Sequence, residues 1–211
     1  MCDYFTNFYQ SHESIIHELY YHTDLIVSMI ETDEVLVQAF RNGSDLGFVT
    51  LYNRYKQGVY AFCLKMLGNR DGAKDLVQAV FLKVYERCKQ LEHTERFKAW
   101  LFTIARNDCL TYLRKSQSIS ELPDEMEDVN LVFSVSNIER DEEVMLVNRA
   151  IERLQPDLRE VILLREYENL SYREIAGIIG ITEGIVKSRL FTARQRLYEL
   201  LKPIYVERKS L

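Results

Sequence analysis

The stretch Leu170 to Leu200, LSYREIAGIIGITEGIVKSRLFTARQRLYEL, constrains this chain more than any other, because it reads as two helices joined by a tight turn. Ser171, with Glu174 three residues later, has the spacing of a capping box, and the helix it opens is expected to turn Ile175, Ala176 and Ile179 inward. Gly180 suits the left-handed backbone at a helix end, Ile181 can plug the corner, and Thr182 offers a hydroxyl to cap the second helix. Together these are a helix-turn-helix signature.

On the second helix, Val186, Leu190, Ala193 and Leu197 fall on one stripe at about 100° per residue and are expected to pack inward. The opposite face carries Gly184, Ser188, Phe191 and Gln195, flanked by Lys187, Arg194, Arg189 and Arg196. An aromatic ring among small polar and cationic residues suits a DNA major groove, where apolar contact reads a thymine methyl and cations reach guanine or phosphate. The competing reading is a solvated basic face with a stray Phe.

The net charge of −5 over 211 residues suits a nucleic-acid binder only once it is divided along the chain. Residues 1–30 carry four acids and no base; residues 31–115 carry 14 bases against 10 acids; residues 116–143 carry one base against nine acids; residues 144–211 carry 12 against nine. Two mildly basic modules therefore flank an acidic strip. Weak positive charge means weak unaided DNA affinity, since phosphate neutralisation supplies most of it. A partner that delivers the protein to DNA is implied.

From Asp33 to Lys115 the apolar spacing is helical throughout, with no alternating run and no proline. A short helix, Asp33 to Arg41, is followed by one capped by Ser44, with Phe48, Leu51, Tyr52, Tyr55, Val59, Phe62, Cys63 and Met66 stepping by three and four. The loop Gly68 to Gly72 leads to AKDLVQAVFLKVYERC, and a fourth helix, Phe97 to Lys115, interleaves aromatics with cations in a manner suited to single-stranded DNA, although core packing of Trp100 competes with that reading. Residues 116–140, Ser-rich then acidic, read as a linker. Helices follow from Asp141 to Leu154 and from Asp157 to Tyr167, with Pro156 at the start of the second. The fold class is thus all-α: two helical modules joined by an acidic flexible linker, the second ending in a helix-turn-helix. The expected divisions are an N-terminal extension (1–30), a first module (31–115), a linker (116–140), a second module (141–202) and a tail (203–211).

Residues 1–28 contain no Lys, Arg, Gly or Pro, and their role is not assigned; Met29 resembles a natural start, and the segment is expected to be dispensable. His12, His17 and His22 recur every five residues, which scatters them around a helix and argues against a metal site. The four cysteines form no CxxC pair and are expected to be reduced and mostly buried. No leader or apolar span of about 20 residues stands out, so a cytoplasmic protein without membrane insertion is expected. No Gly-rich phosphate loop, HExxH or GxSxG is present, so no enzyme and no cofactor is expected.

Three stretches, DLVQAVFLKVYE (75–86), FKAWLFTIARNDCLTYLR (97–114) and LREVILLREYENLSYREIAGIIGITEGIVKSRLFTARQRL (158–197), occur in the order found in bacterial sigma factors of the extracytoplasmic-function (ECF) type, and the chain resembles that family from about Asp33 to Leu201, the linker excepted. The resemblance implies a sigma factor with two partners, core RNA polymerase and promoter DNA. It places polymerase contacts at Asp75, Leu76, Gln78, Phe81 and Leu82. The helix from Ala73 to Cys88 is apolar over more of its circumference than one core needs, so Leu76, Phe81 and their neighbours are expected to form an exposed polymerase-facing patch. It places minus-ten contacts at Trp100, Arg106, Asn107 and Arg114, with the loop Gln90 to Arg96 capturing a flipped base. Minus-thirty-five contacts fall at Lys187, Ser188, Phe191 and Arg194. Two departures stand out: Ala79 where the family usually has Glu, and Thr192 where many members have Arg. No stable homo-oligomer is expected, an anti-sigma factor is an open question, and the alternative function is a stand-alone helix-turn-helix regulator that binds its operator unaided, usually as a dimer. A third class is a helical adaptor whose helix-turn-helix binds protein only.

Overall fold

Eight α-helices, with no strand among the described residues, build the computed structural model, which describes residues 31–119 and 138–208. The N-terminal extension, most of the expected linker and the last three residues lie outside the described residues.

The first module contains α1 (Asp33–Arg41), α2 (Asp45–Leu67), α3 (Arg70–Arg87) and α4 (Phe97–Ile119), with two short 3-10 turns before α4. Thr32 caps α1 by accepting from the Val35 amide, and Leu36, Val37 and Phe40 are buried against α2. The helices can approach closely because residue 47 is glycine: a Cβ there would stand 2.5 Å from the Leu36 carbonyl oxygen. Asp33 ties α1 to α2, accepting from Arg54 Nη1 at 2.6 Å and from the Tyr55 hydroxyl. Gly68 ends α2 in the left-handed region (φ 69°), and Asn69 caps α3 through the Gly72 amide at 2.9 Å, so the expected loop Gly68 to Gly72 shortens to two residues. Ser44 occupies the N-cap of α2 without making a side-chain cap bond. Rings of Phe40, Phe48 and Tyr85 meet at 5.0–5.3 Å, and Phe62 meets Phe102 edge-on.

The second module holds α5 (Ile138–Glu152), α6 (Pro156–Ile162) continued by a π-helical turn to Tyr167, α7 (Tyr172–Ile179) and α8 (Glu183–Arg208). Both ends of the expected linker are helical, since α4 runs to Ile119 and α5 begins at Ile138. The expected tail is also largely helical: α8 continues to Arg208 across Pro203. Arg159 staples the α5–α6 turn by donating to the carbonyls of Glu152 and Leu154.

The buried apolar cluster is continuous from one module into the other, α7 lying along α4 and the α5–α6 region against α2. That packing corrects one expectation. Ile178, rather than Ile179, joins Ile175 and Ala176 as fully covered, because α7 is covered on two faces. Cys63, Cys88 and Cys109 are buried free thiols, and burial pushes Cys88 up to about 11.

Candidate nucleic-acid interface

The turn before α8 is built by local chemistry. Ser171 Oγ accepts from the Glu174 amide at 3.2 Å while Glu174 Oε2 accepts from the Ser171 amide at 2.7 Å, a complete capping box. Gly180 adopts φ 79°, and its amide and that of Ile181 both donate to the Ala176 carbonyl. Thr182 then accepts from the Ile185 amide at 3.4 Å. These bonds fix the angle at which α8 leaves the corner.

Val186, Leu190 and Ala193 are buried, with Leu197 partly so, and this stripe turns Lys187, Ser188, Phe191 and Arg194 into solvent. Phe191 is 71% exposed, more than any other large apolar side chain described. A ring exposed on this scale leaves its apolar surface uncovered within the chain and open to contact. The cations around it are held: Arg194 Nη2 donates to Glu166 Oε1 at 2.6 Å, Arg196 pairs with Glu199 at 2.9 Å, and Arg189 reaches Asp157 at 3.5 Å and Glu160 at 3.7 Å. The bond to Glu166 raises the Arg194 pKa further. Arg165 and Lys187 both lie over the Tyr172 ring, at 5.2 and 5.9 Å. Thr192 donates its hydroxyl to the Ser188 carbonyl.

In the first module the expected residues separate. Asn107 and Arg114 are exposed on α4, whereas Trp100 is partly buried 6.1 Å from the Phe97 ring. Trp100 lines a cleft of about 600 Å³ with Arg87, His93 and Arg96 of the preceding turns, and Arg173 and Ile178 of α7 close its far side. Arg106 is not displayed as expected: its Nε donates to Glu160 Oε2 of the second module at 2.8 Å, with side-chain exposures of 15% and 5%. On α3, Asp75, Gln78 and Leu82 are exposed, Leu82 at 60%. Leu76 is partly buried, and Phe81 is buried at 4%, meeting Tyr52 edge-on at 4.8 Å, so Phe81 supports the helix from beneath and is not part of an exposed patch. Tyr85 and Tyr52, which the sequence reading did not place among the polymerase contacts, add partly exposed aromatic surface to this side of the module.

Sequence reasoning missed Glu160 altogether. The available signal was an acid at inward spacing with Leu163 and Leu164, which a core position tolerates when it is paired. Among the described residues, no group of three His, Cys, Asp or Glu side chains could hold a metal ion, and no helix is long and apolar enough to cross a membrane.

Comparison with known proteins adds the following. The family model "Sigma-70 region 2" matches residues 51–119 and "Sigma-70, region 4" matches residues 145–197. The ECF RNA polymerase sigma-E factor of Escherichia coli K12 is 33% identical over 184 residues, covering 82% of this chain and 96% of that one. The RNA polymerase sigma-H factor of Pseudomonas aeruginosa is 28% identical, covering 84% of this chain and 97% of that one. Among solved structures, the sigma factor RpoE of Bartonella quintana, in complex with the anti-sigma factor NepR, superposes with a TM-score of 0.64 at 31% identity, covering 74% of this chain and 96% of that one.

Proposed function

The chain belongs to the ECF group of RNA polymerase sigma factors, and from that membership we propose how its own residues divide the work of promoter recognition. It binds core RNA polymerase and directs initiation at specific promoters; the stand-alone regulator alternative is set aside by that membership. The protein acts by binding, without catalysis of its own, in the cytoplasm where polymerase and chromosome meet.

The first module, residues 31–115, takes core polymerase through Asp75, Leu76, Gln78 and Leu82 on α3, with Phe81 as their buried support. Trp100, Asn107 and Arg114, joined by Arg106 once it is free, meet the minus-ten element, and the turns from Gln90 to Arg96 take a flipped base. The second module, residues 141–202, reads the minus-thirty-five element with Lys187, Ser188, Phe191 and Arg194. The observation that carries this reading is the outward display of those four side chains opposite a buried stripe. An anti-sigma partner is proposed on the precedent of the Bartonella relative.

The test is transcription by purified core polymerase plus this protein on genomic DNA, with start sites mapped. A shared pair of promoter elements upstream of the starts is the expected result. Specific low-nanomolar promoter binding by the protein alone would contradict it.

A further inference from the structure

Between α7 and the turns that precede α4 lies a cleft of about 600 Å³, within the roughly 300–1,000 Å³ that small-molecule sites occupy. Three elements each bring one arginine to its lining: Arg87 from the end of α3, Arg96 from the 3-10 turn before α4, and Arg173 from the first turn of α7. All three are exposed, and none of their guanidinium groups has a partner among the described residues. That sets them apart from Arg106, Arg189 and Arg194, each of which is held by a carboxylate. We propose that this cleft binds a free nucleoside di- or triphosphate, its base against Trp100 and its phosphates among Arg87, Arg96 and Arg173. The proposal concerns the free protein and stands apart from the promoter reading above.

The lining holds both chemistries that a nucleotide needs. Trp100 is partly buried, and Leu91, Ala99 and Ile178 add apolar wall to the same cleft. An indole among apolar groups stacks any base, because every base has a π-face. Guanidinium groups present paired N–H donors whose spacing matches phosphate oxygens. Two acids also line the cleft. Glu174 has its carboxylate committed to the Ser171 amide and hydroxyl, at 2.7 and 2.6 Å, and Glu92 is exposed. His93 is turned to Glu95 at 3.1 Å. Three guanidiniums thus face two carboxylates, one of them already hydrogen-bonded within its own helix cap.

Clustered phosphates suit this lining better than a promoter base does. A DNA strand carries a single phosphate charge per nucleotide, whereas a free di- or triphosphate gathers several at one end of the ligand. Arg173, moreover, comes from the second module, outside the surface given to the minus-ten element. Gly177 leaves room for the ligand. It lies one turn beyond Arg173 on the same face of α7, and a Cβ there would meet nothing within 4 Å.

The test is a calorimetric titration of the full-length protein with ATP, pyrophosphate and adenosine, read in parallel by the fluorescence of Trp100, the only tryptophan in the chain. ATP should bind one to one and change that fluorescence. Pyrophosphate and adenosine should each bind at least about tenfold more weakly, since each keeps only one of the two kinds of contact. The proposal is overturned by pyrophosphate binding as tightly as ATP, which leaves an anion patch only, and by adenosine binding as tightly, which removes the phosphate role. ATP that does not bind, or that binds with the Trp100 signal unchanged, overturns it as well. Two variants on α7, outside the proposed polymerase and DNA surfaces, locate the ligand: Arg173→Ala removes a guanidinium, and Gly177→Leu fills the cleft while replacing a helical glycine with a better helix former. Each should weaken ATP binding about tenfold with a melting temperature no lower than that of the wild type. Where one variant loses its fold, the other decides, and ATP binding unchanged in a folded variant places the ligand elsewhere and refutes the site. Initiation from promoters by a wild type that binds no ATP removes this inference alone. ATP binding by a wild type that initiates nowhere removes the promoter reading alone.

Discussion

Arg194 of α8 and Glu166 of the π-helical turn, 28 residues apart, share a fork in which Nη2 and Nε both donate to Oε1, at 2.6 and 3.2 Å. The pair is half-exposed, so it adds little to stability, at most about 1 kcal/mol. On the proposed minus-thirty-five reading its effect falls on DNA, because the acid neutralises a cation assigned to phosphate. Glu166→Gln should leave the melting temperature nearly unchanged and steepen the salt dependence of promoter binding by the polymerase complex by about one counterion. Measuring binding across a salt series decides this, and an unchanged slope would count against Arg194 as a phosphate contact.

Phe191→Ala removes the apolar ring from the proposed minus-thirty-five surface. Preference should relax at one position of the minus-thirty-five element, at a cost of about 1–3 kcal/mol on the preferred base. Stability should stay within about 0.5 kcal/mol, since the ring is exposed. Loss of the folded second module in this variant would show the ring to be structural.

Adjacent residues on α3 should fail in different ways. Leu82→Asp places a charge on the exposed face and should abolish co-purification with core polymerase while helicity and melting are kept. Phe81→Ala empties a buried site against Tyr52 and should cost about 3–5 kcal/mol of stability. Equal behaviour of the two variants in both assays would refute this division.

Glu168 supplies a pH signature. Burial raises its carboxyl pKa above the ordinary glutamate range, and Lys98 offsets this only in part. The folded state therefore holds this proton more tightly than the unfolded chain does. Its contribution to stability is fully present below the unfolded value of about 4.3 and is lost as pH rises through the raised folded value. Glu168→Gln, which cannot titrate, should gain on the wild type as pH rises across that window. Urea unfolding of both proteins at pH 4.5 and 7 reads the difference, and a gap that stays constant with pH would contradict the assignment.

The sequence by itself determined the helices and which face of α8 is displayed. Ser171 and Glu174 cap each other within one turn, Gly180 takes its left-handed backbone from its own missing Cβ, and the spacing of Val186, Leu190 and Ala193 turns Phe191 outward. Each of these depends on neighbours within a few residues, which the order of amino acids states directly. Family resemblance, carried by three motifs, added the partners. Only the tertiary structure decided that Phe81 lies beneath Tyr52, that Ile178 is covered by α4, and that Arg106 ends on Glu160, 54 residues away. Periodicity gives a helix one apolar stripe, but how much more of its circumference is covered depends on which helices cross it. Those crossings are set by the packing of distant residues such as Gly47, whose missing side chain lets the backbone of a neighbouring helix close in.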